Sequence, residues 1–182
     1  GTIPAGGLIL VAGADVQSYG IFCEVVAYGA DRQSWNVTAR FFPGDTLNPQ
    51  TGAWVDLSEF IESEFADANG VLRRLDATAV GTPSKISVNK RGKRRKHGSK
   101  MIWPVGTWSL KAELYGNLHK LGLSSGEACD PPGFCHFHKG LDQEFFLQLT
   151  AEYFDVKLVK GKLFEEWRSR RPDNHFLDCR IY

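Results

Sequence analysis

The pattern of apolar and polar positions predicts three strands near the start of the chain. Residues 8–14 form an apolar run that ends at Asp15, and residues 19–28 are rich in strong β formers. Residues 34–42 alternate, with every second residue apolar. The turn-like segments between these runs are short, and a short turn cannot return a chain to parallel pairing. We therefore expect an antiparallel meander.

The rest of the chain alternates between helical and strand patterns. In chain order it predicts a helix from Asp56 or Ser58 to residue 68, a strand over 71–80, a short strand over 101–105, a helix from Thr107 or Ser109 to 121, an irregular segment over 124–140, a helix over 142–154, a hairpin over 156–167 and a last, helical element from 174. This order predicts an α/β fold on a ribonuclease-H-like plan: a mixed central sheet whose first three strands are antiparallel, flanked by helices.

Composition places the chain among single globular domains. Hydrophobic residues make up 42% and aromatic residues 12% of the chain, enough for one core spanning residues 1–182. No apolar run approaches the roughly 18 residues of a membrane span, and the opening apolar stretch has no basic flank, so we read it as a buried strand and expect no membrane partner. The chain lacks an initiator Met, and we expect it to be part of a longer protein.

A basic loop is predicted over residues 81–100. The net charge of the whole chain is only +1, so any binding of nucleic acid must come from a local patch of this kind. Within the loop, residues 85–100 carry eight cations: Lys85, Lys90, Arg91, Lys93, Arg94, Arg95, Lys96 and Lys100. A solvated loop is the plain interpretation. We favour contact with DNA phosphates because the cluster is dense in an otherwise neutral domain.

Two carboxylates occupy positions where burial is costly. Asp15 ends the first apolar strand, and Asp178 lies within the apolar segment 174–179. A buried carboxylate needs a partner charge or a metal ion. Taken alone, Asp15 fits a turn and Asp178 fits a helix cap, so neither residue establishes a site by itself.

The four cysteines offer a rival chemistry. Cys23 and Cys179 lie in apolar segments and are expected to be buried thiols. Cys129, Cys135, His136 and His138 could together hold a structural zinc ion. Their spacing is not that of a standard finger, and adjacent Cys135 and His136 cannot easily reach one tetrahedral centre. We favour an irregular loop with incidental ligands.

An ordered set of short motifs runs through nearly the whole chain. They are GLILVAGADVQ (residues 7–17, with an acid-x-Gln signature), Tyr28-Gly29, Ser34-Trp35, FPGD (42–45), GTWSLK (106–111), His136-Phe137, QLTAE (148–152), Trp167 and NHFLDC (174–179). In this order they resemble the nuclease domain of lambda-type phage terminase large subunits. GTWSLK is similar to the family's Gly-x-x-x-x-Lys helix entry.

The resemblance implies a metal-dependent endonuclease that cuts double-stranded viral DNA concatemers during packaging. In that family an ATPase motor precedes the nuclease, and this chain holds only the nuclease part, with no Walker-type phosphate loop. The resemblance also implies a small terminase subunit and a portal as partners, and the cytoplasm of the infected host as the location.

The resemblance further implies three acidic residues that hold two divalent ions, Mg²⁺ or Mn²⁺. Asp15 matches the first and Asp178 the last, and Gln17, Lys111 and Asn174 are auxiliary candidates. The middle acid should follow the strand 71–80, but residue 80 runs directly into Gly81. Either a crossover is deleted, or the sequence joins residues across an omitted segment. We favour omission, because a deletion would remove a core strand. Asp76 does not match the motif and is not assigned.

Two other functions stay open from the sequence. A related ribonuclease-H-like nuclease, such as an integrase or resolvase, would share Asp15 and Asp178 without needing the QLTAE or NHFLDC motifs. A non-catalytic DNA-binding module would use the basic loop and keep the carboxylates as structural groups. Dependence on a divalent metal separates the enzymes from the binding module.

Overall fold

The computed structural model describes residues 1–50, 52–81 and 105–182 in full, and the backbone of residues 95–97 and 100–102. The strands are β1 (Ile9–Gln17), β2 (Gly20–Tyr28), β3 (Ser34–Pro43), β4 (Phe65–Ala66), β5 (Leu72–Arg73), β6 (Ala77–Val80), β7 (Arg95–His97), β8 (Lys100–Ile102), β9 (Cys135–His136), β10 (Glu152–Val159) and β11 (Lys162–Ser169). The helices are α1 (Ala53–Glu62), α2 (Thr107–Leu118), α3 (Gln143–Leu149) and α4 (His175–Ile181).

A five-stranded mixed sheet in the order β6-β1-β2-β3-β9 forms the centre of the fold. Strands β1, β2 and β3 pair antiparallel, which confirms the predicted meander. Strand β6 joins β1 in parallel, with Val80 opposite Ala14, and β9 joins β3 in parallel. The fold is therefore α/β with a mixed sheet flanked by helices. The more specific ribonuclease-H-like assignment stays a prediction.

Each face of the sheet covers its own apolar core. Alternate residues of β1, such as Leu10 and Val16, pack on one face against Leu57 of α1. Phe22 of β2 belongs to a second core that includes Leu177 of α4 and residues of α2 and α3. Because side chains alternate along a strand, Asp15 falls on the face that carries α4. The alternation of side chains along β1 therefore places the Asp15 carboxylate next to α4.

Gly13 allows α4 to lie directly on β1. A Cβ atom at this position would collide with the backbone carbonyl of Cys179 in α4. The helix backbone occupies the space that a side chain on β1 would need. This contact brings the first turn of α4, which carries Asp178, toward the end of the strand that carries Asp15.

A buried ion pair ties α4 to β2. Arg180 donates from Nε to Glu24 Oε2 at 2.9 Å and from its second nitrogen to Glu24 Oε1, and both side chains are almost fully buried. Asn36 Nδ2 donates to Glu24 Oε1 at 2.6 Å, and Arg180 also reaches Ser34 Oγ at 3.4 Å. The charge on each partner is therefore matched inside the second core.

Strands β10 and β11 form a separate two-stranded hairpin. Its turn places Lys160 and Gly161 at φ 51° and 75°, the left-handed region that suits a tight hairpin turn. Near its base, the Phe154 ring packs 5.5 Å from the Trp108 ring of α2. The hairpin confirms the prediction made for residues 156–167, although it is longer at both ends.

Several predicted boundaries were wrong. The helix expected to reach residue 68 spans Ala53–Glu62, and the strand expected over 71–80 is divided into β5 and β6. The helix expected over 142–154 ends at Leu149, because β-forming residues from Glu152 onward pair with β11. Asp142 caps α3 by accepting from the Phe145 N–H at 2.8 Å.

Strand pairing is also present where irregular chain was expected. Short β9 lies inside the segment 124–140 and pairs with the start of β3. Strand β7 lies inside the predicted basic loop and pairs with β8, which overlaps the short strand predicted over 101–105. Both pairings join short segments that are too brief to show a sequence period. Among the described residues, no helix combines the length and the apolar character needed to cross a membrane.

Candidate active site

The candidate site lies at the end of β1, where β1 and β6 run in parallel. Val80 ends β6 opposite Ala14, and the Gly81 N–H donates to the Ala14 carbonyl at 2.7 Å. Asp15 follows Ala14 and faces α4. The carboxyl ends of parallel strands are a common place for ligands in open α/β sheets. The position of Asp15 therefore favours a binding role.

Asp15 is held through one of its two oxygens. Gln17 Nε2 donates to Asp15 Oδ2 at 2.7 Å, and His175 Nδ1 donates to the same oxygen at 2.9 Å. Only 9% of the Asp15 side chain is exposed. None of the described residues donates a hydrogen bond to Oδ1. This oxygen is thus available to a ligand while Oδ2 fixes the orientation of the carboxylate.

His175 is itself fixed on two sides. Its ring stacks on Phe22 with centroids 4.2 Å apart, and its Nε2 lies 3.0 Å from the Tyr19 hydroxyl oxygen. With Nδ1 donating to Asp15, Nε2 is left to interact with Tyr19. The hydrogen bonds from Tyr19 through His175 to Asp15 therefore connect a partly exposed tyrosine to the buried carboxylate.

Asp178 lies in the first turn of α4, one turn after Asn174. Burial raises the pKa of its carboxyl to about 6; the charge of Asp15 and, to a smaller extent, that of Glu152 add to the rise, while Lys111 opposes it. The two aspartates are therefore close enough for their charges to repel each other. A cation between them would relieve this repulsion.

A buried ion pair adjoins Asp178. Lys111 Nζ on α2 lies 2.6 Å from Glu152 Oε2 at the start of β10, and the two side chains are 12% and 8% exposed. Asn174 Nδ2 donates to the second carboxylate oxygen, Glu152 Oε1, at 3.1 Å. Residues from α2, β10 and the start of α4 thus meet beside the two aspartates.

The last residue of the chain forms a wall of the site. The Tyr182 ring packs against Gly81, where a Cβ atom would lie 2.5 Å from a ring carbon. The pKa of the Tyr182 hydroxyl is raised to about 12 by burial and by the charges of Asp178 and Asp15. Gly81 leaves room for this ring directly after β6.

All five site residues predicted from the sequence lie in this one region. They are Asp15, Gln17, Lys111, Asn174 and Asp178. Gln17 contacts Asp15, whereas Lys111 and Asn174 meet each other through Glu152. That the five residues form one functional site stays a prediction. The role of each residue stays a prediction.

The sequence analysis missed Glu152 and His175. Both lie inside motifs that carry the family resemblance, but no role was assigned to either. A carboxylate that follows the apolar residues Leu149 and Ala151, both of which are buried, is the signal that could have found Glu152. No pattern in the sequence indicates that His175 reaches Asp15, because the contact joins residues 160 positions apart.

The predicted middle acid is not located. Gly81 occupies the position directly after β6, and residues 82–94 lie outside the described residues. Asp76 lies at the opposite end of β1, where its Oδ2 accepts from the Leu10 N–H at 2.7 Å. This position agrees with leaving Asp76 unassigned.

The donor set fits a hard divalent cation with two protein ligands. Asp15 and Asp178 offer carboxylate oxygens, which Mg²⁺ and Mn²⁺ prefer. Within the part of the chain that the structure describes, no three His, Cys, Asp or Glu side chains are placed to hold one ion together. Mg²⁺ commonly binds through one or two carboxylates, with water and substrate phosphate completing its shell. Two aspartates therefore suffice for such an ion.

The alternative zinc cluster is not assembled in the described residues. His136 stacks on Trp35 with centroids 4.9 Å apart, and Cys135 donates to the Gly133 carbonyl. His138 Nδ1 accepts from the Gly140 N–H at 3.0 Å. The segment expected to be irregular contains the short strand β9, and the absence of a zinc site stays a prediction.

The predicted DNA-binding residues are largely outside this description. Lys90, Arg91, Lys93 and Arg94 lie outside the described residues. Arg95, Lys96 and Lys100 belong to β7 and β8, of which only the backbone is described. Their contact with DNA stays a prediction.

The site thus defines a class of domain: an α/β unit in which largely buried carboxylates meet at the end of a central strand. The chain belongs to the family of the terminase large subunit gpA endonuclease domain, whose model matches residues 1–83 and 69–182. These two overlapping ranges cover the whole chain. No curated protein and no solved structure matches it. Membership of this family indicates a nuclease role in DNA packaging.

Proposed function

We propose that this domain is a divalent-metal-dependent endodeoxyribonuclease that cuts double-stranded viral DNA concatemers during packaging into the capsid. The observation that carries the proposal is the convergence of Asp15 and Asp178 at the end of β1. They converge in a chain that belongs to a terminase endonuclease family. The alternative function, a related nuclease outside packaging, is not supported by this family membership.

In this proposal, Asp15 and Asp178 hold Mg²⁺ or Mn²⁺, and a two-metal site is the arrangement that the family resemblance implies. Gln17 and His175 fix Asp15 through Oδ2, so that Oδ1 would be the oxygen that holds the ion. A bound divalent ion supplies an activated water and stabilises the charge that develops on the phosphate. Burial of Asp15 and partial burial of Asp178 limit competing water and strengthen the attraction of the carboxylates for the ion.

The basic residues of segment 81–100 are the proposed contact with duplex DNA: Lys90, Arg91, Lys93, Arg94, Arg95, Lys96 and Lys100. Contacts with phosphates give binding that is independent of sequence and sensitive to salt. Selection of the cutting site then falls to partners. The proposed partners are the ATPase domain of the same subunit, the small terminase subunit and the portal, acting in the cytoplasm of the infected host.

Cleavage of supercoiled plasmid tests the proposal. The wild-type chain should nick the plasmid with Mn²⁺ or Mg²⁺ and not with EDTA. Asp15→Asn and Asp178→Asn should each lower the rate about 100-fold or more, because each removes a charged oxygen ligand. Asp56→Asn is the matched control, since this aspartate is exposed on α1 across the sheet.

The possible outcomes separate the functions. Cleavage that needs metal and is lost in both site variants supports the nuclease. Full activity in either variant contradicts the site. Binding of DNA that is unaffected by EDTA, with no cleavage under any metal, favours a non-catalytic binding module.

The basic segment is tested by replacing Lys93, Arg94, Arg95 and Lys96 with glutamine. We expect weaker duplex binding and a flatter dependence of affinity on salt, by up to roughly 0.9 in log–log slope for each phosphate that the variant no longer neutralises. Arg74→Gln is the control, because this arginine is exposed and lies outside the basic segment, where it pairs with Glu64. An unchanged slope would reduce the segment to a solvated loop.

A further inference from the structure

The Lys111–Glu152 ion pair lies beside Asp15 and Asp178 but is not part of the proposed metal site. Its two side chains are nearly as buried as that of Asp15. Burying an ion pair costs several kcal/mol of desolvation per ion, and apolar residues of similar size often stabilise a fold as well. The pair therefore calls for an explanation other than stability. The inference drawn from it rests on the proposed nuclease function.

Glu152 is fixed at three points. Its Oε2 contacts Lys111 Nζ at 2.6 Å, and its Oε1 accepts from Asn174 Nδ2 at 3.1 Å. Its backbone N–H donates to the Tyr115 hydroxyl oxygen at 3.1 Å. The carboxylate thus has little freedom to turn toward a ligand. It is arranged to hold the ammonium group of Lys111 in one place.

The charges of the site also indicate that Glu152 serves Lys111 and not a metal ion. The region holds three carboxylates and one lysine, and Glu152 is paired with that lysine. The remaining two negative charges lie on Asp15 and Asp178, which together match one divalent cation. Lys111 nevertheless acts on Asp178, because its charge lowers the pKa of that carboxyl. Glu152 is also bonded to Asn174, which lies one turn before Asp178, so the Lys111 ammonium lies near Asp178 as well as beside Glu152.

We propose that Glu152 is a positioning residue that holds the Lys111 ammonium at the edge of the aspartate site, where Lys111 contacts a phosphate of the DNA. Carboxylates repel a phosphate, so a fixed cation beside them lowers the cost of bringing the backbone in. A lysine ammonium is a compact charge that suits a single phosphate oxygen. Glu152 acts through Lys111 and is not a ligand of the metal.

The neutral double variant Lys111→Met/Glu152→Gln tests this assignment with the least risk to folding. It removes both charges together, so that no unpaired charge is left buried. Affinity for duplex DNA, measured with Ca²⁺ in place of Mg²⁺, should fall about five- to tenfold. Mn²⁺ affinity, measured by calorimetry, should stay within about threefold of wild type, because neither residue binds the ion.

A double-mutant cycle tests the link between the two residues. Lys111→Met alone should weaken duplex binding as much as the double variant does. Glu152→Gln should weaken it in the wild-type background and have no further effect once Lys111 is replaced. Thermal unfolding of each variant, measured in parallel, shows whether the DNA effect follows from a loss of fold.

Three results would overturn the proposal. DNA affinity that is unchanged in the double variant removes Lys111 from the interface. Independent effects of the two substitutions mean that Glu152 does not act through Lys111. Loss of Mn²⁺ binding in the double variant makes Glu152 a ligand. Each result can arise while the wild-type chain still cleaves DNA, so these failures are distinct from a failure of the nuclease proposal.

Discussion

Two clusters of charged side chains lie against the same short helix, and they differ in how their charges are matched. At the C-terminal half of α4, Arg180 pairs with Glu24 through two nitrogen atoms. At its N-terminal half, Asp178 faces Asp15 and the Lys111–Glu152 pair. Both clusters lie between the central sheet and α4, and the second also includes Lys111 of α2 and Glu152 of β10.

The pKa values record this difference. The Glu24 carboxylate holds the pKa of Arg180 above its ordinary range, despite the opposing effect of burial. The pKa of Asp178 is instead raised to about 6, because burial and the neighbouring charge of Asp15 both disfavour its charged form. In the first cluster, the charge of Glu24 is matched by that of Arg180. The second keeps unmatched negative charge, which is typical of a site that binds a cation.

The largest expected effect is on the matched cluster. Arg180→Met should lower the free energy of unfolding by about 3–5 kcal/mol, because it leaves Glu24 charged and unpaired in the core. Urea denaturation followed by circular dichroism measures this decrease. The double variant Glu24→Gln/Arg180→Met should recover a large part of it. A single variant as stable as wild type would show that the pair contributes nothing.

A smaller effect of opposite sign is expected in the unmatched cluster. Asp178→Asn should raise the free energy of unfolding of the metal-free domain by about 1 kcal/mol at pH 7, because it removes a partly buried charge that Asp15 repels. The folded pKa of Asp178 is raised, so its cost is present above pH 6 and shrinks as the pH falls toward its ordinary value of 3.8. The gain should shrink in the same range.

This stability difference is measured by denaturation at pH 7 and at pH 4, with Asp56→Asn as control. A destabilised Asp178→Asn variant would mean that the carboxylate is a structural group, like Glu24. The comparison of the two clusters would then fail.

Patterns of apolar and polar residues predicted the strands of the fold that have one buried face. The apolar runs of β1 and β2 and the alternation of β3 gave the meander, because one buried face imposes a period of two. The predicted end of α3 was wrong, because residues from Glu152 onward become a strand only through pairing with β11. Strand β9 was missed, since two residues paired across about a hundred positions leave no period.

The site was predictable where a motif named a residue and not where distant residues meet. Asp15, Gln17, Lys111, Asn174 and Asp178 were all placed in the site from the resemblance. The contact of Lys111 with Glu152 depends on how α2 packs beside the start of β10. No feature of either segment alone encodes that contact. Tertiary packing therefore supplies the part of the site that the sequence leaves open.

Binding of Mn²⁺ to the full chain, measured by calorimetry, tests the central claim most directly, because it requires neither DNA nor cleavage. Wild type and Asp56→Asn should bind the ion saturably with the same affinity. Asp15→Asn and Asp178→Asn should each bind it at least about tenfold more weakly, since loss of even an outer-shell partner has an effect of that size. Equal affinity in all four proteins would contradict the assignment of Asp15 and Asp178 as the metal ligands.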